Sequence, residues 1–173
     1  MKVHVSVAAL ASGLILATAV MSAQVAYRVP SNTRPAINGT FTDAQNGEGV
    51  FSGTVRLDQF KAQSSGLVVI GTLTGALADS TGKPLGQIDQ EITLPLTRAS
   101  STCDLLHIEF GPEDVDVLDV RVHLQKDVLG ITAKDGPPRN VLCSLAQLFD
   151  GRPKPGEVAA GLNQVLQLMV AAR

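Results

Sequence analysis

Apolar and polar residues alternate through four successive stretches of this chain, and the period then changes. Within residues 50–63, Phe51, Val55 and Leu57 alternate with Ser52, Thr54, Arg56 and Asp58. Within 67–79, Leu67, Val69, Leu73 and Leu77 share one face, with Gly71 and Gly75 in phase. Within 87–96, Ile88, Ile92, Leu94 and Leu96 alternate with Asp89, Glu91 and Thr93, although Gln90 interrupts the apolar face and Pro95 points to an edge. Within 103–110, Leu106, Ile108 and Phe110 oppose Leu105, His107 and Glu109. A period of two is that of a strand with one buried face. Turn signals separate the runs: Asn46-Gly47, Ser64-Ser65-Gly66, residues 80–86 (STGKPLG) and Gly111-Pro112.

Beyond Gly111-Pro112 the apolar positions are Val115 and Val117, then Leu118, Val120, Val122 and Leu124. The phase slips by one at Val117–Leu118, which predicts a bulge or corner, because a one-residue shift turns side chains to the opposite face. A last short strand is expected over 128–133, with Leu129 and Ile131 inward.

After residues 134–139 (KDGPPR), expected as loop, the spacing becomes helical. Asn140 is placed to cap a helix carrying Val141, Leu142, Leu145, Leu148 and Phe149, with Cys143 facing roughly the same way. Residues 151–156 (GRPKPG) end it, and a second helix over 157–171 has Val158, Leu162, Val165, Leu166 and Met169 on one stripe. Six to eight strands followed by one or two helices, with no βαβ alternation, predict a mainly β fold. The expected form is an antiparallel meander, as a sandwich or partly closed barrel, with the C-terminal helices packed on it.

The N-terminus has the layout of an export signal: Lys2 and His4, then an uncharged apolar run over residues 5–20, then small residues from Ala17 to Ala26. The run falls short of the roughly 20 residues a membrane-spanning helix needs. The expected organisation is a signal peptide at 1–23, an extended linker at 24–40, a β-rich domain with a terminal helix at 41–150, and a C-terminal helix at 151–173. No stable membrane span is expected once the signal is cleaved within 19–26. Asn38-Gly39-Thr40 matches the glycosylation sequon.

One of the 14 basic residues lies in the signal, leaving 13 against 16 acidic ones. A mildly acidic chain without clustered Lys or Arg lacks the footprint of a nucleic-acid binder. With no Trp, one Tyr and five Phe, it also lacks the aromatic platforms that stack bases or sugars. Its core must be aliphatic.

Two cysteines, Cys103 and Cys143, bracket the strongest strand signals. In an oxidising compartment they allow one intramolecular disulfide, closing a loop whose cross-linking stabilises by roughly 3–4 kcal/mol on the chain-entropy model. The alternatives are two buried thiols or a thiol site, against which stand the lack of a CxxC motif and of basic neighbours.

Residues 103–112 (CDLLHIEFGP), 118–124 (LDVRVHL), 128–133 (VLGITA) and 140–146 (NVLCSLA) resemble a family of uncharacterised secreted bacterial proteins. In that family an L-x-L-x-L-G-P strand precedes L-G-L-x-V-x-L, L-x-I-T-A and G-N-L-L-C segments. The resemblance spans residues 103–146 and implies paired cysteines and secretion, with no assigned activity. Asp104, Asp114, Asp116 and Asp119 make this chain the more acidic, and Asp119 stands where the family has a corner glycine.

The chemistry available is thin. His107 and Glu109 share a strand face, and His123 would join them if Gly111-Pro112 reverses the chain, a donor set suited to Zn²⁺ or Fe²⁺. Asp114 and Asp116 offer oxygens to Ca²⁺. Cys103 with His107 or His123 imitates a thiol enzyme, and Glu91 with Glu109 a glycosidase pair, but neither has its surrounding motif. The sequence therefore predicts a secreted, non-catalytic structural or protein-interaction module of the cell envelope or extracellular space, with no cofactor. The alternatives are a β-cup holding an apolar small molecule or lipid, and a metal-dependent enzyme using His107, Glu109 and His123.

Overall fold

A computed structural model describes residues 34–171. Eight strands precede two helices: β1 (Ala36–Thr42), β2 (Glu48–Gln63), β3 (Gly66–Ala78), β4 (Pro84–Ser101), β5 (Leu105–Phe110), β6 (Glu113–Val117), β7 (Val120–Leu124), β8 (Asp127–Thr132), α1 (Gly136–Asp150) and α2 (Pro155–Ala171). They form one sheet in the order β6-β7-β1-β2-β3-β4-β5-β8, with every neighbouring pair antiparallel. The fold is thus mostly β, as the alternation predicts. It is a single sheet, not a sandwich, and it is not closed into a barrel.

β4 carries the bend. Its first part pairs with β3 as far as Val68↔Pro95, and its last part pairs with β5 from Leu96↔Phe110 onward. Pro95, having no N–H, sits where one ladder gives way to the other, and its carbonyl accepts from the Gly111 amide at 2.8 Å. Past that point Gly111-Pro112 leads into β6, which shares no ladder with β4. A side chain spans the gap: Gln90 Nε2 donates to the Asp116 carbonyl at 3.4 Å. The polar residue that breaks the apolar row of β4 therefore links two strands that are not paired in the sheet.

The inner face holds the core, from Ile37 and Phe41 on β1 to Ile131 on β8, and the helices complete it with Leu142, Leu145, Val158, Leu162, Val165 and Met169. Sheet glycines let the strands wrap tightly. Gly53 and Gly75 are opposite one another, and the ring of Phe51, 1% exposed, lies over both; a Cβ on Gly75 would come within 2.6 Å of it.

Four expectations are corrected. The linker gives way to a strand before residue 40, because Ile37, Gly39 and Phe41 alternate inward along β1; the rest of the linker and the signal peptide lie outside the described residues. The phase slip at Val117–Leu118 is neither bulge nor corner. It is a two-residue hairpin turn in which Leu118 and Asp119 adopt φ of 44° and 66°, so that β7 restarts with the opposite parity. Ser100 and Ser101, which with Thr102 read from the sequence as a loop before Cys103, extend β4 against β5. Finally α1 starts at Gly136, four residues before Asn140, because a proline is tolerated in the first helical turn, whose N–H groups have no helical partner.

Candidate functional site

The residues singled out for metal chemistry stand in two separate pairs. On β5, His107 Nε2 lies 3.2 Å from Glu109 Oε1, and the other oxygen of Glu109 meets Lys126 Nζ at 2.6 Å. Lys126 foremost, and then His107, hold the Glu109 carboxyl below its ordinary range. On the β6–β7 hairpin, His123 Nδ1 lies 2.7 Å from Asp114 Oδ1, with both side chains more than half exposed. Asp116 pairs with Arg121 at 2.9 Å, which lowers its own pKa. β5 and β7 are separated in the sheet by β1, β2, β3 and β4, so Gly111-Pro112 does not bring His123 to His107 and Glu109. Among the described residues no group of three or more His, Cys, Asp or Glu is arranged to hold a metal ion. Glu91, on the first part of β4, and Glu109, whose strand pairs with the last part, do not face each other in register.

Cys103 and Cys143 are joined by a disulfide. It ties the β4–β5 turn to the second turn of α1, as the compartment argument predicts. Ser101 Oγ donates to the Leu142 carbonyl at 3.1 Å, and Arg139 meets Asp104 at 2.8 Å beside the same junction.

Asp43 was not legible as special in the sequence. It is 6% exposed, yet fully engaged: its carboxylate accepts from the amides of Gln45, Gly47 and Ser80 at 2.8–2.9 Å. These bonds, those to Ser80 foremost, lower its pKa to about 2. Since Ser80 belongs to the β3–β4 turn, Asp43 staples two hairpin turns together. It is a structural group with its oxygens spent. The Asp-x-x-Asn-Gly pattern is the signal that marks the turn, but nothing local announces Ser80.

The apolar space enclosed between the end of β8 and the two helices, lined by Ile131, Ala133, Leu142, Val165 and Met169 among others, measures about 10 Å³. That is about the volume one water needs, far below what an acyl chain or drug-sized ligand fills. The surface next to it differs. β8 ends the sheet and pairs with β5 alone among the described strands. On its outer side Val128 is 48% exposed, Gly130 follows, and Leu105 of β5, 42% exposed, reaches toward that glycine.

No protein family, no curated protein and no solved structure matches this chain. Among the described residues no helix is long and apolar enough to cross a membrane.

Proposed function

We propose that this chain is an exported, non-catalytic interaction module of the cell envelope or extracellular space, and that it meets a partner protein by adding a strand to the edge of β8. One observation carries the reading: the apolar space beside the helices is filled, while β8, one of the two end strands of the sheet, has no described strand along its outer edge. An unpaired edge presents alternating N–H and C=O groups that a partner strand can take up, with side-chain contacts supplying selectivity. Here those contacts are the apolar Val128 and Leu105, flanked by the Glu109–Lys126 ion pair. The disulfide supports the extracellular setting, since such bonds persist where the medium is oxidising. The signal-like layout of residues 1–23 in the sequence points the same way.

The test is site-specific photo-crosslinking in the native host. A crosslinker at Val128 should yield a discrete adduct that a second change, Gly130→Pro on the same edge, abolishes, while one at Thr54 on the outer face of β2 yields none. No adduct from Val128, or the same adduct from Thr54, refutes the edge. Native mass spectrometry of the exported protein bears on the β-cup: a stoichiometric co-purifying apolar molecule overturns the non-ligand reading.

A further inference from the structure

β2 outruns its neighbour. The β1–β2 ladder runs in one unshifted register from Thr42↔Glu48 to Ala36↔Thr54, and the Val55 amide adds a bond to the Pro35 carbonyl. β2 itself continues to Gln63. Every second residue of a strand turns its N–H and C=O to the same side, so Leu57 presents its backbone where Val55 does. At Phe60 the Asn163 side chain takes over that side, after the shift between Leu57 and Gln59. Between Pro35 and Asn163, no described strand stands beside Leu57 on this edge.

A groove of about 870 Å³ lies along the same stretch, between β2 and the last turns of α2. Leu57 and Leu166, both buried, face Val170, which is 65% exposed, and Arg56, Asp58 and Gln167 line it beside them. From Val158 to Ala171, α2 carries no charged residue, on its exposed positions Gln164, Gln167 and Val170 as on its buried ones. The outward face of a solvated helix ordinarily carries charge. An uncharged face, a groove and an unfinished ladder thus meet at one place.

The chain holds a segment that fits there. Residues 27–33 (YRVPSNT) immediately precede Arg34, lie outside the described residues, and are retained by export cleavage anywhere within 19–26. Tyr27, Val29 and Thr33 have the parity of Pro35, Ile37 and Phe41, whose side chains are buried, while Arg28 and Asn32 have the other. In the β1–β2 register the residue opposite Leu57 is Thr33. Seven extended residues reach roughly 23 Å, whereas α2 rises only about 6 Å from Leu166 to Val170. We propose that residues 27–33 occupy this groove as a continuation of β1. Thr33 exchanges the next pair of backbone hydrogen bonds with Leu57, and Tyr27 and Val29 rest on Leu166 and Val170. The segment finishes the edge of β2 from within the chain, whether or not a partner uses β8.

The chain has one Tyr and no Trp, so intrinsic fluorescence of the exported protein reports on Tyr27 alone. Acrylamide should quench it several-fold less effectively in the native protein than in urea. Val29→Asp on the segment and Val170→Glu on the exposed rim should each raise quenching to the unfolded level. Each should also quicken exchange of the Leu57 amide about ten-fold or more, a local opening, with far-ultraviolet circular dichroism unchanged. A native Tyr27 as open to acrylamide as in urea overturns the proposal, and so does shielding that either folded variant leaves in place. Release of Tyr27 without faster exchange at Leu57 overturns the added rung. Shielding lost on dilution, in step with dissociation in sedimentation, gives the groove to the segment of a second copy and overturns its placement within one chain. Should one variant misfold, the other decides.

Discussion

Asn163 and Phe60, 103 residues apart, are joined by two hydrogen bonds, so that a helix side chain completes the backbone pairing of β2 where β1 no longer runs beside it. β1 reaches β2 as far as Ala36↔Thr54, with one further bond from the Val55 amide to the Pro35 carbonyl. Phe60 lies beyond, and the primary amide of Asn163 offers it both a donor and an acceptor, as a neighbouring strand would.

Replacing Asn163 by Ala leaves the Phe60 N–H and C=O without a protein partner. An orphaned, partly buried polar group costs about 1–3 kcal/mol, and the urea midpoint should fall accordingly with the slope unchanged. Asn163→Asp should also destabilise at neutral pH, because a carboxylate accepts from the Phe60 N–H but repels its carbonyl. Equal stability of the Asp variant and the native protein would rule out the donor half of this contact.

Gly75→Ala should destabilise by about 1–3 kcal/mol, the usual cost of overpacking a close-packed interior. The new Cβ would stand 2.5 Å from the Ser52 carbonyl oxygen and 2.7 Å from the Gly53 Cα as well as against Phe51. Two of those neighbours are backbone and cannot yield. Thermal denaturation measures the loss, and Phe51→Leu in the same chain should recover part of it at most.

The Leu118–Asp119 turn asks two side-chain-bearing residues to hold positive φ, and Leu118 is 55% exposed. Leu118→Asn with Asp119→Gly supplies the pair this turn favours. The double variant should gain about 1 kcal/mol, read as a higher denaturation midpoint. A lower midpoint would show that the packing of Leu118 over Gly86 outweighs the backbone strain.

Asp43 predicts the acid limb of stability. Its folded pKa of about 2 lies below the ordinary Asp value of about 3.9, so the unfolded chain binds the proton more readily. The contribution is complete above about pH 4 and disappears as pH falls through the folded value. Denaturant titrations at pH 5 and stepwise down to 2 should show a decline that is shallower in Asp43→Asn. An unchanged slope in that variant would assign the acid limb to other carboxylates, such as Asp58, Asp79 and Asp116, whose hydrogen bonds also lower their pKa.

What the sequence by itself determined was periodic. The strands of Phe51–Leu57, Leu67–Leu77 and Leu106–Phe110, the two helical stripes and the antiparallel class follow from which side chains water excludes along a local repeat. The cysteine pair followed from chemistry and compartment. Tertiary structure decided what depends on partners far along the chain. Ile37 and Phe41 became a strand because β2 and β7 stand on either side of them, though Gly39 blurs their local signal. Val117–Leu118 became a hairpin, since parity alone cannot tell a bulge from a reversal. His123 found Asp114 instead of Glu109, because the reversal occurred at Leu118–Asp119, beyond Gly111-Pro112. Local alternation fixes which face a residue takes; which residue it meets there depends on the order in which strands lie side by side, and that order is set by packing the whole sheet around one core.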